Sequence, residues 1–172
     1  MRKKIAVFAG ASVKENSPLY KDAVETGRII GKNFDIICGG YGGLMEGVSK
    51  GVSEARGKCY GIGFKAFDKK KNIYIYRMKK ASSLSERLDY FLKNADAFIA
   101  LPGGVGTICE VMFLWDNMKA GLCEIKPLLL YGKLWRKFLK NLKTDFLIPE
   151  KAFRLLKYAE NKSELKNFLS GI

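Results

Sequence analysis

Residues 95–110 read ADAFIALPGGVGTICE, and this stretch decides the fold. Ala95–Leu101 is an apolar run of strand length, interrupted only by Asp96, which reads as a strand buried on both faces. It empties into Pro102-Gly103-Gly104-Val105-Gly106-Thr107, and a long amphipathic helix then runs to about Ala120. A buried strand that passes through a glycine turn into a helix is the repeating unit of a parallel sheet covered by helices.

Working outward, the same unit recurs. Upstream, Ile5–Phe8 leads into Gly10-Ala11-Ser12, after which Ser17 caps a helix with Pro18 at its first position. Phe34–Cys38 leads directly into Gly39-Gly40-Tyr41-Gly42-Gly43 and a helix whose Leu44, Val48, Val52 and Ala55 recur every three or four residues. Lys58–Phe64 reads as a third strand and Ile73–Tyr76 as a fourth, and Ser83 or Ser85 caps a helix carrying Leu84, Leu88, Phe91 and Leu92. Downstream, Pro127–Tyr131 is a strand, Leu134–Leu142 a basic amphipathic helix and Phe153–Tyr158 a last short strand, while Asn161 with Glu164 resembles a capping box for a closing helix. The expectation is one α/β domain over residues 1–172, a Rossmann-like doubly wound parallel sheet of six to seven strands with helices on both faces. Right-handed crossovers then place every glycine loop at the carboxyl edge of the sheet, where such folds bind ligands.

Composition narrows the chemistry. Of 172 residues, 31 are basic and 17 acidic, a formal charge of +14, and none is histidine. Without histidine there is no Ser-His-Asp or Cys-His nucleophile and no zinc site with an imidazole ligand, so acid–base work falls to carboxylates, Lys, Arg, Tyr or Cys. Cys38, Cys59, Cys109 and Cys123 are widely spaced with no CxxC pair and read as reduced, mostly buried small hydrophobes. The opening MRKKIAVFAG has too short an apolar run for a signal peptide, and no run approaches the ~20 apolar residues of a membrane span. A cytoplasmic protein with no membrane partner is expected. Residues 65–80 carry seven positive charges against Asp68 alone, which invites nucleic acid, but 24 of the 31 basic residues are lysine and no nucleic-acid motif accompanies them. A solvated lysine surface that steers small anions is the expected reading, with nucleic acid not expected as a partner and a basic RNA-associated protein the weaker alternative.

Glycine turns between a strand and a helix let backbone N–H groups converge on an anion, with the helix dipole adding positive charge. Neither turn is a Walker A loop, and GxGxxG is absent, so kinase, NTPase and ordinary NAD readings lose support. The segment Pro102–Glu110 is richer: glycines that can cradle a phosphate, a hydroxyl from Thr107 in the first helical turn, and the Glu110 carboxylate about one turn on. Arg87, on the helix before this strand, adds a guanidinium. Cys109 reads as a small helix residue, since no base accompanies it, and Glu46 and Asp89 are solvated helix charges or a second carboxylate. Met112, Phe113, Trp115 and Met118 form either a dimer surface or a two-sided buried helix.

At these residues the sequence resembles the LOG (Lonely Guy) family, long described as lysine decarboxylase-like. Its PGGxGTxxE hallmark stands here as PGGVGTICE (102–110), and its ERK element as Glu86-Arg87-Leu88. VFAGAS (7–12), GGYGGLMEGVSKG (39–51) and NADAFIALPGG (94–104) resemble the family's first loop, second glycine loop and central strand, and KPLLLYGKLW (126–135) a bacterial branch. The resemblance implies hydrolysis of the N-glycosidic bond of a nucleoside 5′-monophosphate, AMP or a cytokinin-type ribotide, releasing base and ribose 5-phosphate without metal or organic cofactor. It implies Arg87 and Glu110 as the catalytic pair and Gly103, Gly104, Gly106 and Thr107 as the phosphate cradle. Gly10, Ser12, Gly39, Gly40, Gly42, Gly43 and Met45 complete the implied nucleotide-binding set. It further implies a homodimer with sites close to the subunit interface. The sequence departs from the family pattern at Leu88, which replaces the motif lysine, and at Cys109 and Glu46, which replace a glutamate and a glycine of the plant form. A decarboxylase fails on chemistry, because no histidine is available to stack on pyridoxal. The alternative is a non-catalytic nucleotide or molybdenum-cofactor carrier using the same pocket.

Overall fold

The computed structural model describes residues 2–172. Seven strands form one all-parallel sheet: β1 (Lys4–Phe8), β2 (Asp35–Cys38), β3 (Cys59–Phe64), β4 (Arg77–Ala81), β5 (Ala97–Ala100), β6 (Leu128–Tyr131) and β7 (Leu156–Ala159). Their order across the sheet is β4-β3-β2-β1-β5-β6-β7. The winding therefore runs one way from β1 to β4 and reverses between β1 and β5, which opens a crevice between the loops leaving those two strands.

Helices α1 (Pro18–Gly31), α2 (Leu44–Glu54) and α7 (Lys162–Ser170) cover one face. Helices α3 (Leu84–Asn94), α4 (Val105–Lys119), α5 (Lys133–Asp145) and the short α6 (Glu150–Phe153) cover the other. The central strands are buried on both faces, which explains why Ile5–Phe8 and Ala97–Ala100 are apolar throughout rather than alternating. Residues of alternate parity along them feed two separate cores, Val7 and Ile99 into one, Phe8 and Phe98 into the other. In the second core the Phe8 ring meets Phe91 edge-on at 5.1 Å, a preferred aromatic geometry.

Local signals set the helix starts. The hydroxyls of Ser17 and Ser83 accept from the Tyr20 and Glu86 N–H groups, and Asn161 accepts from Glu164. The carboxylate of Glu164 closes its turn on the Glu160 N–H, one residue before the cap. Close backbone contact fixes α1 on α2: a Cβ at Gly51 would stand 1.9 Å from the Val24 carbonyl oxygen.

Two edge assignments differ from the sequence reading. The expected strand Ile73–Tyr76 is turn, with Ile73 84% exposed, and the fourth strand is Arg77–Ala81. Asn72 imposes the turn, its side chain accepting from Tyr74 N–H and donating to the Tyr41 carbonyl. The true edge strand is basic because an edge needs charge to discourage pairing with another chain, so apolar content pointed to the wrong four residues. At the other edge Phe153 ends α6 and the strand begins at Leu156. No helix among the described residues is long and apolar enough to cross a membrane.

Candidate active site

The crevice between β1 and β5 holds a cleft of about 610 Å³, a size suited to a small ligand. Its floor is the junction of two loops: the Gly10 N–H donates to the Pro102 carbonyl at 3.0 Å, and the Gly10 carbonyl accepts from the Leu44 N–H at 2.8 Å. Three strand–loop–helix units thus meet at one point. Helix α4 points its N-terminus into this cleft with no side chain capping it and no acidic residue in its first turn, so its leading N–H groups are free for an anion. Thr107 is buried in that turn, packed so closely on Gly103 that a Cβ there would lie 2.1 Å from its Oγ1. At Gly104 and Gly106 an added Cβ would meet nothing within 4 Å, so packing does not require glycine at either. Bare backbone there leaves the loop open to close approach by a ligand.

Glu110 and Arg87 lie at the cleft's inner wall. Glu110 is 6% exposed and Arg87 9%, and the Arg87 Nη1 donates to Glu110 Oε1 at 2.7 Å. The guanidinium is held by a second bond, from Nε to the Ile62 carbonyl at 2.8 Å, and by the Phe64 and Phe91 rings, whose centroids lie 5.0 and 5.1 Å from its Cζ. Burial pushes the Glu110 carboxyl above the usual carboxylate range, against the opposing pull of Arg87. Nε and Nη1 of Arg87 are engaged by these two bonds, and Nη2 makes no hydrogen bond to the protein among the described residues. The uncapped α4 N-terminus offers a place for an anion, and the Arg87 guanidinium fixes the position of the Glu110 carboxylate.

Of the residues expected at the site, Gly10, Ser12, Met45, Arg87, Gly103, Gly104, Gly106, Thr107 and Glu110 all line the cleft. Gly39, Gly40, Gly42 and Gly43 do not. Gly39 instead makes room, since a Cβ there would stand 2.6 Å from Met45 Sδ and 2.9 Å from Arg87 Nη2. Gly43 has φ +70° and leaves no space against Ala11. The second glycine loop therefore shapes the site from behind, with Tyr41 as its contribution to the lining.

Sequence reasoning missed an aromatic wall of Tyr41, Phe64 and Phe67, together with Lys69 and the apolar rim of Val13, Leu19 and Leu134. The 65–80 segment is thus only partly a solvated surface. Glu46 stays outside the cleft, its carboxyl pushed up by partial burial and by Glu15. Cys38 and Cys59 are buried against Ser49, and burial pushes both thiols up. Cys109 and Cys123 are half-buried. The α4 face divides: Trp115 and Met118 are core, with the Trp115 Nε1 donating to the Ala152 carbonyl, whereas Leu88, Cys109, Met112 and Phe113 line a second groove with Trp115.

A family model described as "Possible lysine decarboxylase" matches residues 45–168, which include Arg87, the Pro102–Glu110 loop and most of the cleft. The chain belongs to this family, the LOG family. Among LOG relatives, it is 34% identical over 115 residues to cytokinin riboside 5′-monophosphate phosphoribohydrolase LOG1 of Arabidopsis thaliana, a match covering 64% of this chain and 54% of that protein. It is 32% identical over 173 residues to probable cytokinin riboside 5′-monophosphate phosphoribohydrolase LOG4 of Oryza sativa subsp. japonica, covering 94% and 74%. The chain thus spans about half the length of the first of these relatives and about three quarters of the second. The molybdenum cofactor binding protein of Rippkaea orientalis has the same fold, with a TM-score of 0.76 at 20% identity over 99% of this chain and 97% of that one.

Proposed function

We propose that this LOG-family chain is a phosphoribohydrolase that cleaves the N-glycosidic bond of a purine nucleoside 5′-monophosphate to free base and ribose 5-phosphate. The observation that carries the reading is the buried Glu110–Arg87 pair in the same cleft as an uncapped helix N-terminus. Phosphate at the N-terminus of α4 would bring the ribose over the first turn, toward Glu110 one turn further on. Leaving of the base builds positive charge at C1′, as in other glycosidic cleavages, and a buried carboxylate beside C1′ stabilises that charge. The raised proton affinity of Glu110 also suits it to accept a proton from the attacking water, and Arg87 keeps it ionised and oriented for both tasks. Ribotides of alkylated bases are supported by the apolar rim, where Leu19 and Leu134 are 44% and 65% exposed.

The groove of Leu88, Cys109, Met112 and Phe113 lies on α3 and α4, the helices that carry Arg87 and Glu110. We take it as the surface for a second copy of the chain, which would place the paired sites near the dimer interface. Incubating the protein with AMP and with an N6-alkylated AMP, then separating products by chromatography, tests the activity. Free base and ribose 5-phosphate in equal amounts support it, while tight nucleotide binding without base release makes the protein a carrier.

A further inference from the structure

Phe67 is 42% exposed, yet it is not a loose surface side chain. Its N–H donates to the Phe64 carbonyl at 3.3 Å in the turn after β3, which folds its ring back to 4.9 Å from the Phe64 ring and 5.9 Å from that of Tyr41. Tyr41 is itself fixed, its hydroxyl accepting from the Phe64 N–H at 3.2 Å. The contacts run in an unbroken series across the cleft: Glu110 to Arg87 at 2.7 Å, Arg87 to the Phe64 ring at 5.0 Å, Phe64 to Phe67 at 4.9 Å. In a nucleoside 5′-monophosphate the phosphate and the base leave the ribose at opposite ends. With the phosphate on the α4 loop and C1′ at Glu110, the base points away from that loop toward the wall of Tyr41, Phe64 and Phe67 that lines the same cleft.

We propose that Phe67 is the base-binding residue of the cleft, stacking on the face of the nucleobase. The proposal rests on the nucleotide reading of the site. Recognition by a ring face rather than by hydrogen bonds to base edges follows from the lining. Its polar side chains are Ser12, Tyr41, Lys69, Arg87, Thr107 and Glu110. Of these, Tyr41, Arg87 and Glu110 each already hold a protein partner and Thr107 lies in the first turn of α4, so the joined rings of Tyr41, Phe64 and Phe67 are the broad surface that this wall offers a base. The Lys69 ammonium lies 5.8 Å from the Phe67 ring centroid, an exposed cation–π contact weak enough for an incoming base to displace. Every base has a π-face, so stacking favours the larger purines over pyrimidines but barely separates adenine from guanine. The cleft is then selective for purine nucleotides as a class.

The test measures Kd by calorimetry for AMP, GMP and ribose 5-phosphate on proteins that carry Glu110→Gln to stop turnover, with Phe67 as in wild type, Phe67→Ala or Phe67→Trp, after thermal melts show the three proteins equally folded. The protein with Phe67 intact should bind AMP and GMP within about fivefold of each other. Phe67→Ala should weaken both nucleotides by about tenfold, the usual scale for loss of one stacked base, and leave ribose 5-phosphate unchanged, while Phe67→Trp restores nucleotide binding. Unchanged AMP binding in Phe67→Ala, an equal loss for ribose 5-phosphate, or discrimination between AMP and GMP above a hundredfold with Phe67 intact would overturn the stacking role while leaving the nucleotide site standing. Failure of the protein with Phe67 intact to bind AMP and ribose 5-phosphate alike would overturn the nucleotide reading, and this proposal with it.

Discussion

Replacing Arg87 with Met keeps the apolar stem and removes the guanidinium, leaving the Glu110 carboxylate at 6% exposure without the cation that pairs with it. Unpairing a buried ion pair in this way typically costs about 3–5 kcal/mol. Cleft water can reach this site, which points to the lower end, about 3 kcal/mol at neutral pH. The loss must depend on pH. Burial already raises the Glu110 carboxyl, so the folded state binds its proton more tightly than the unfolded chain does. Stability therefore falls as pH rises from about 4.3, the unfolded value, through the raised folded value. Without Arg87 that folded value moves further up and the window widens, each added unit being worth about 1.4 kcal/mol. Urea unfolding of wild type and Arg87→Met at pH 5 and pH 8 measures this directly. The variant should lose more stability at pH 8 than at pH 5. An equal loss at both pH values, or a larger one at pH 5, would refute the account of Glu110 as a carboxyl raised by burial and held down by Arg87.

Other substitutions separate packing from ligand contact. Gly103→Ala forces its Cβ onto the Thr107 hydroxyl, 2.1 Å away, and should reduce AMP affinity at least tenfold as the α4 first turn shifts. Gly104→Ala meets nothing within 4 Å, so its free energy of urea unfolding should stay within about 0.5 kcal/mol of wild type, while nucleotide affinity falls because the new methyl stands at the open loop. Gly51→Ala drives a methyl to 1.9 Å from the Val24 carbonyl and should destabilise the fold by about 2–3 kcal/mol in the same assay without direct contact with the cleft. Phe113→Asp in the α4 groove should shift sedimentation from dimer to monomer.

Much of this arrangement is legible in the residues because it is local. A strand buried on both faces must be apolar throughout, and a strand-to-helix turn that admits a ligand favours glycine, so Ala95–Glu110 announces both the sheet and the phosphate-sized loop. Ser17, Ser83 and Asn161 mark helix starts through bonds that span three residues. Long-range placement is where the reading stops. Both glycine loops read as strand-to-helix turns able to hold an anion, yet one lines the cleft and the other clears space for Arg87 and Met45. That division depends on distances between elements far apart in the chain. The binding of Arg87 to the Ile62 carbonyl, 25 residues away, leaves no pattern in either segment. Phe67 sits in a lysine-rich stretch whose charge points to a solvated surface, and its place in the cleft wall comes from a turn that folds it against Phe64. The misplaced fourth strand has the converse cause, an apolar Ile73–Tyr76 segment bent by Asn72 into a turn.

The central claim is that Glu110 drives glycosidic cleavage in a cleft that binds the nucleotide through other groups. The most direct test compares base release from AMP by wild type and Glu110→Gln under saturating substrate, with AMP affinity measured on both proteins. Wild type should release adenine and ribose 5-phosphate, and Glu110→Gln, which preserves the side chain's size, should bind AMP within a few-fold of wild type while its turnover falls by at least about a hundredfold, the contribution expected of one positioned charged group. Absence of base release by the wild type, or equal turnover in the two proteins, would contradict the account.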